Sequence, residues 1–238
     1  MIKGIIFDID DTLYDQQKAF IQAFNECLPT YVKDVDYGAL FQRMRAYGDE
    51  SFTLGYEQTD LRKMQIYRIK RALRDDQIKV SDELALKFQH AFERYQEEIE
   101  LFGEMPSIFE RIKTKGLATG LITNGTAKRQ AKKIERLRLK EWMPADLMLI
   151  SEEVGIAKPK TGIFELMAHR LSMVNSELLY IGDNYTNDII GGKSAGWQTI
   201  WANYHRLTKP TEVVETDYTV QSPKELALLL ERLLVKEE

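Results

Sequence analysis

Four stretches of this 238-residue chain carry side chains whose type and spacing could do chemistry. In the first, the apolar run Gly4-Ile5-Ile6-Phe7 ends abruptly in Asp8, Asp10 and Asp11, followed by Thr12. The second is Thr123-Asn124-Gly125 after Leu121-Ile122, the third Lys158-Pro159, and the fourth Asp183 and Asp188 after Leu178-Leu179-Tyr180-Ile181-Gly182. Asp8 and Asp10 are two apart, so on a regular extended chain their side chains would share a face. Each stretch alone has a plain structural reading. Asp-Asp-Thr is good turn and capping chemistry, Thr123 a strand-end hydroxyl, Lys158 a surface cation, and Asp183 and Asp188 acids favoured at a helix N-terminus. Taken together they would crowd four carboxylates. At about 4 Å and an effective dielectric near 20, each like-charged pair costs roughly 4 kcal/mol. A divalent cation among the acids removes that cost, and an all-oxygen donor set favours Mg²⁺ over zinc. Such a cation is held by one or two carboxylates together with a substrate phosphate.

The elements that must position these residues follow from apolar patterning. A strand apolar on both faces belongs in the centre of a parallel sheet, and in such sheets ligands bind at the carboxyl ends. From 105 onward helices and strands alternate: a helix from Pro106 to Lys115 stopped by Gly116, strands at 117–122, 146–150, 178–182 and 198–202, and a loop from Ser151 to Pro159. Helices are expected at about 161–171, from Asp183 to near Gly196, and from the capping box Ser222-Pro223-Lys224-Glu225 through Leu234. The alternation predicts an α/β fold with a doubly wound parallel sheet. Between about 16 and 98 the period changes to that of helices, with stripes such as Phe20, Ala23, Phe24, Cys27 and Leu84, Phe88, Ala91, Phe92, Tyr95. The expected organisation is therefore a core of 1–15 and 99–238 with an inserted all-helical module at 16–98. Within the insert, Tyr47 to Tyr56 reads as a loop because it holds two glycines. After Gly125 a helix is expected with Ala127, Ala131, Ile134 and Leu137 inward, and Lys128, Arg129, Lys132, Lys133, Arg136, Arg138 and Lys140 on its solvated side.

Composition narrows the classes. A net charge of −4 argues against a nucleic-acid polymer as partner, while a small anionic substrate fits one local cation. Cys27 is the single cysteine, which excludes an internal disulfide and a cysteine metal site and suits a reducing, cytoplasmic setting. No run reaches the length of a membrane span, and Met1 leads straight into the first strand without a leader pattern.

The ordered set Asp-x-Asp-x-Thr, Thr-Asn-Gly, Lys-Pro and Gly-Asp-x-x-x-x-Asp, spanning Asp8 to Asp188, resembles the four motifs of the haloacid dehalogenase superfamily, mostly phosphatases. The helical insert between the first two motifs resembles that family's C1-type cap. Thr123-Asn124-Gly125 and Ile150 to Pro159 look like the branch containing pyrimidine 5′-nucleotidases and N-acylneuraminate-9-phosphatase. The resemblance implies Asp8 as nucleophile forming an aspartyl-phosphate, and Asp10 as the acid and base that serves the leaving oxygen and then water. It implies Mg²⁺ held by Asp8, the Asp10 backbone carbonyl, Asp183 and Asp188. Phosphate would meet Thr123, Lys158 and backbone N–H groups near Asn124 and Gly125. Asp11 is read as a turn residue where many relatives carry glycine, and His90, His169 and His205 are given no role. The implied function is hydrolysis of a small phosphorylated metabolite, a nucleoside 5′-monophosphate first and a sugar phosphate second, by a monomer or homodimer. Tyr47 to Tyr56 is expected to shape the leaving-group pocket. A phosphomutase on the same carboxylates and a non-catalytic phospho-ligand binder are the alternatives. Metal-free dehalogenation sits poorly with Asp10, Asp183 and Asp188.

Overall fold

The computed structural model describes residues 1–31, 33, 35–53, 61–210 and 214–235. The chain divides into two compact units, one of Met1–Asp15 with Ile99–Glu238, the other Gln16–Glu98. The first is built on six parallel strands: β1 Gly4–Phe7, β2 Ala118–Thr123, β3 Met148–Ile150, β4 Leu178–Gly182, β5 Gln198–Ala202 and β6 Tyr218–Val220, in the order β3-β2-β1-β4-β5-β6. β1 pairs with β2 on one side and β4 on the other, with Phe7 level with Leu121 and Ile181. The strand order reverses at β1, which opens a crevice at the carboxyl ends of β1 and β4.

Alternation along β1 sends Ile5 and Phe7 to one face and Ile6 to the other. Ile5 and Phe7 join a core with Leu121, Ile181 and Ile200, closed by Ile108, Phe109 and Ile112 of the helix Met105–Thr114 and by Leu226 and Leu230 of the helix Pro223–Val235. Ile6 joins Ile122, Leu149 and Tyr180 beneath Ile163, Phe164 and Met167 of the helix Thr161–Leu171. Both faces are thus covered, as a parallel sheet requires.

The second unit holds α1 Gln16–Cys27, α2 Tyr37–Thr53, α3 Leu61–Asp75 and α4 Asp82–Tyr95 around its own core of Phe20, Phe24, Phe41, Phe88 and Phe92. Phe20 is the hub, with ring centroids 5.3 Å from Phe41 and 5.4 Å from Phe88. Ser81 caps α4 by accepting from the Leu84 N–H at 3.1 Å. Cys27 is a buried free thiol.

The structure corrects several expectations. Tyr47 to Thr53 is the end of α2, and positions 54–56 of the expected loop lie outside the described residues. Gly48 is carried inside the helix because Tyr47 is anchored on both sides of its ring: its hydroxyl donates to Asp75 at 2.6 Å, Tyr67 lies edge-on, and the Arg71 guanidinium sits 4.9 Å over the ring. Such packing exceeds the roughly 1 kcal/mol that glycine costs a helix. Asp146 and Leu147 belong to a 3₁₀ turn, so that strand starts at Met148. Ser151 to Val154 is one helical turn closed by Gly155 at φ +70°, and Tyr185 to Ile190 is a π-helical turn. β6 was not expected at all. Among the described residues no helix is long and apolar enough to cross a membrane.

Candidate active site

The site is assembled at the carboxyl ends of β1, β2 and β4. β1 stops at Phe7, but the Asp8 N–H still donates to the Ile181 carbonyl at 2.9 Å, which fixes Asp8 one step past the strand. Beyond it the chain turns, with Asp11 at φ +53°, a left-handed conformation that aspartate tolerates better than most residues. The two carboxylates have different cationic partners, yet they stay near enough for Asp10 to raise the Asp8 carboxyl.

The partner of Asp8 is Lys158. Its Nζ donates to Asp8 Oδ1 at 2.6 Å, to Asp188 Oδ1 at 2.7 Å and to the Tyr180 hydroxyl oxygen at 2.9 Å, while the Tyr180 hydroxyl donates to the Ile122 carbonyl at 2.8 Å. One carboxylate oxygen from each of Asp8, Asp183 and Asp188 lies within 4.8 Å of the others, and all three residues are buried. Burial pushes the Asp8 carboxyl up to about 6, with Asp183 and Asp10 adding to the rise and Lys158 opposing it. The Asp188 carboxyl is also raised by burial, against the pull of Lys158. For Lys158 burial disfavours the charge, but Asp188 and Asp8 outweigh it and hold the ammonium well above the usual lysine range. Buried acids that resist ionisation beside an ammonium already shared between two of them are an environment that a hard cation would stabilise.

Asp188 is placed by the turn after β4. Its Oδ2 accepts the Asn184 N–H at 2.9 Å, and Asn184 Oδ1 accepts the Asn187 N–H at 2.9 Å. Gly182 is needed because a Cβ there would lie 2.3 Å from Asp188 Oδ2. The Asp183 carbonyl is fixed by the Trp201 indole N–H at 2.8 Å.

Asp10 is held by Lys133, whose Nζ lies 2.6 Å from Oδ1 and 2.7 Å from Oδ2. The Tyr14 hydroxyl donates to Oδ1 at 2.5 Å, and Gln130 Nε2 approaches Oδ2 at 3.4 Å. Lys133 and Gln130 lie on the helix Ala127–Arg136, and both are buried, whereas Ala131 is exposed. Ile134 and Leu137 face inward as expected, but Gln130 and Lys133 join them in place of Ala131, giving an inward stripe spaced i, i+3, i+4, i+7. Burial lowers the Lys133 ammonium below the ordinary lysine range, with Asp10 opposing the shift.

Thr123 ends β2 with its Oγ1 buried and without a hydrogen-bond partner among the described residues, a hydroxyl placed to meet a ligand oxygen. Asn124 is occupied differently from expectation. Its Nδ2 donates to the Lys158 carbonyl and its Oδ1 accepts the Lys158 N–H, both at 2.9 Å, so it clamps the backbone that carries the lysine. The Gly125 N–H donates to Ser151 Oγ at 3.0 Å, and the Ala127 N–H at the helix start donates to Glu152 Oε2 at 2.7 Å. Protein groups thus take the Gly125 N–H, one of the donors expected for phosphate, and the Ala127 N–H at the helix start. Sequence reasoning missed Lys133, Gln130, Tyr14 and Tyr180, and also His205, whose Nε2 lies 3.3 Å from the buried Asp11 carboxylate.

A six-stranded doubly wound sheet with a lysine and three carboxylates gathered at its switch point is an α/β fold carrying a candidate active site at the place where such folds bind ligands. The family profile described as haloacid dehalogenase-like hydrolase matches residues 5–202, and the chain belongs to that family. It is 40% identical to pyrimidine 5′-nucleotidase YjjG of Escherichia coli over 112 residues, which is 47% of this chain and 48% of that protein, so the match spans about half of each. It is 27% identical to the glyceraldehyde 3-phosphate phosphatase of Pyrococcus furiosus over 97% of this chain and 94% of that one. Among solved structures, the HAD-hydrolase YfnB of Bacillus subtilis, crystallised bound to magnesium, superposes with a TM-score of 0.70 at 21% identity, covering 96% of this chain and 98% of the other.

Proposed function

We propose that the protein is a Mg²⁺-dependent phosphatase that hydrolyses a small phosphomonoester through an aspartyl-phosphate on Asp8. The observation that carries this reading is the buried trio Asp8, Asp183 and Asp188 with Lys158 between two of them and the unpartnered Thr123 hydroxyl nearby in the same strand-end cluster. Asp8, Asp183 and Asp188, with the Asp10 backbone carbonyl, would hold the cation. When bound it supplies positive charge to the phosphoryl oxygens. Lys158 sits against Asp8, so it steadies the nucleophile and offsets charge on the transferring group. Thr123 donates its free hydroxyl to a phosphoryl oxygen. Asp10 gives a proton to the leaving oxygen and later takes one from water. The helical unit 16–98 serves as the cap module, and a cytosolic setting fits a single, unpaired cysteine.

For the substrate, the nucleotidase relative favours a nucleoside 5′-monophosphate, and the relative that matches nearly the whole chain favours a small sugar phosphate. The test is phosphate release from a panel of nucleoside monophosphates and sugar phosphates, with Mg²⁺ or with EDTA. Release that needs the cation and ranks one class above the other is the expected result. Folded protein that turns over none of the panel would overturn the phosphatase reading in favour of a mutase or a binding protein.

A further inference from the structure

We infer that Lys133 is a positioning residue for Asp10, anchoring the carboxylate that exists between the two proton transfers of the reaction. The inference rests on the phosphatase reading and deepens it. Its ground is a cradle built around one side chain. Lys133 Nζ reaches both oxygens of Asp10, at 2.6 and 2.7 Å. Tyr14 adds a second donor to Oδ1, and Gln130 approaches Oδ2. Lys133 is only 7% exposed and Gln130 4%, so both sit on the inward face of their helix at a desolvation cost that a surface lysine would not bear. Gln130 is itself tied down, donating to the Asn124 carbonyl at 2.8 Å. Asn124 in turn clamps the backbone of Lys158. The helix that fixes Asp10 is thus linked through one residue to the loop that fixes the lysine beside Asp8.

The proton inventory explains what such an anchor does. In the first step the bond from Asp8 to phosphorus forms, the bond to the leaving oxygen breaks, and the Asp10 proton passes to that oxygen. Asp10 is left as a carboxylate. In the second step water attacks phosphorus, the bond to Asp8 breaks, and the proton lost by water returns to Asp10. Between the steps Asp10 must remain charged, in one rotamer, in a partly buried place. A charge-assisted bidentate contact from Lys133 meets that need. Lys133 touches neither substrate nor phosphorus in this scheme and acts through Asp10 alone.

Loss of the anchor should be felt where a proton is needed. The experiment compares kcat/KM for an alkyl phosphate, whose leaving alkoxide requires protonation, with p-nitrophenyl phosphate, whose leaving group departs without it. Lys133→Met is expected to lower kcat/KM for the alkyl ester by about 10²-fold, within the range of general acid catalysis, and for the aryl ester by less than about tenfold. Lys133→Arg is expected to recover most of the selective loss, and Asp10→Asn to show the same selectivity more strongly. Equal losses on both esters in Lys133→Met, with Asp10→Asn still selective, would overturn the role of Lys133 and leave the Asp10 reading intact. An Asp10→Asn variant with no selectivity would overturn the Asp10 reading and the inference with it. Should Lys133→Met not fold, Tyr14→Phe removes one donor from Oδ1 and keeps the ring. A selective loss of several-fold supports the cradle, and a uniform loss overturns it.

Discussion

Replacing Asp8 with asparagine should stabilise the metal-free protein, and by an amount that depends on pH in a defined direction. Burial lifts the Asp8 carboxyl to about 6 in the folded chain, against about 4 in an unfolded one. The folded state therefore binds the proton more tightly than the unfolded state does. As pH rises from 4 to 6 the folded protein holds more protons, so this group makes stability fall across that window. Above pH 6 the penalty is complete. Two pH units at about 1.4 kcal/mol each set it at about 3 kcal/mol. Asparagine keeps the shape of the neutral acid and cannot ionise, so Asp8→Asn removes the penalty. The attraction of Lys158 is already contained in the value of about 6, because it is one of the forces that set it. For a chain of this length, about 2–4 °C per kcal/mol converts the gap to about 6–12 °C in Tm. Thermal melts in EDTA from pH 4 to 8 read it directly. The variant should melt higher at pH 8 and match wild type near pH 4. Mg²⁺ should raise wild type alone at high pH. A gap that is flat with pH, or that widens on acidification, would refute the electrostatic reasoning.

Thr123→Val removes a hydroxyl that has no partner among the described residues, so stability should stay within about 1 kcal/mol, while phosphate release falls tenfold or more; a destabilised variant in thermal melts would mean the hydroxyl is structural. Gly182→Ala forces a Cβ to within 2.3 Å of Asp188 Oδ2, so the carboxylate must move. The expected cost is about 1–3 kcal/mol, together with a higher Mg²⁺ concentration for half-maximal activity; unchanged metal dependence would contradict the placement of Asp188 in the cation site. Lys158→Met leaves Asp8 and Asp188 without their shared ammonium and should lower metal-free stability by about 3–5 kcal/mol at pH 8, part of which Mg²⁺ restores in the same melt.

The strand ends were legible because a buried parallel strand must be apolar and its abrupt change to carboxylate has few structural uses. Gly4 to Phe7 before Asp8 and Leu178 to Gly182 before Asp183 both fall where apolar runs stop. The helices between 16 and 98 were legible from a change of period alone. Lys133 was not, because charged residues were placed outward by default and Ala131 inward. The true stripe 130, 133, 134, 137 has perfect helical spacing, and only its two polar members hid it. Reading polar residues as potential inward donors would have found the cradle. β6 is three residues long, too short for any periodicity, and is held by pairing with β5. The Asn124 clamp and the Glu152 cap depend on contacts 34 and 25 residues away, which no local pattern encodes. Gly48 misled because helix propensity is weak against an anchored tyrosine beside it.

The proposed phosphatase works through covalent chemistry at Asp8. The most direct test is to quench wild-type protein in acid during turnover of its best phosphomonoester with Mg²⁺ and locate the phosphoryl group by peptide mass spectrometry. An acid-stable, alkali-labile phosphate is expected on the peptide containing Asp8, absent when EDTA replaces the metal, with Asp8→Asn inactive. Full turnover by Asp8→Asn, or a phosphoryl group trapped on any other residue, would contradict it.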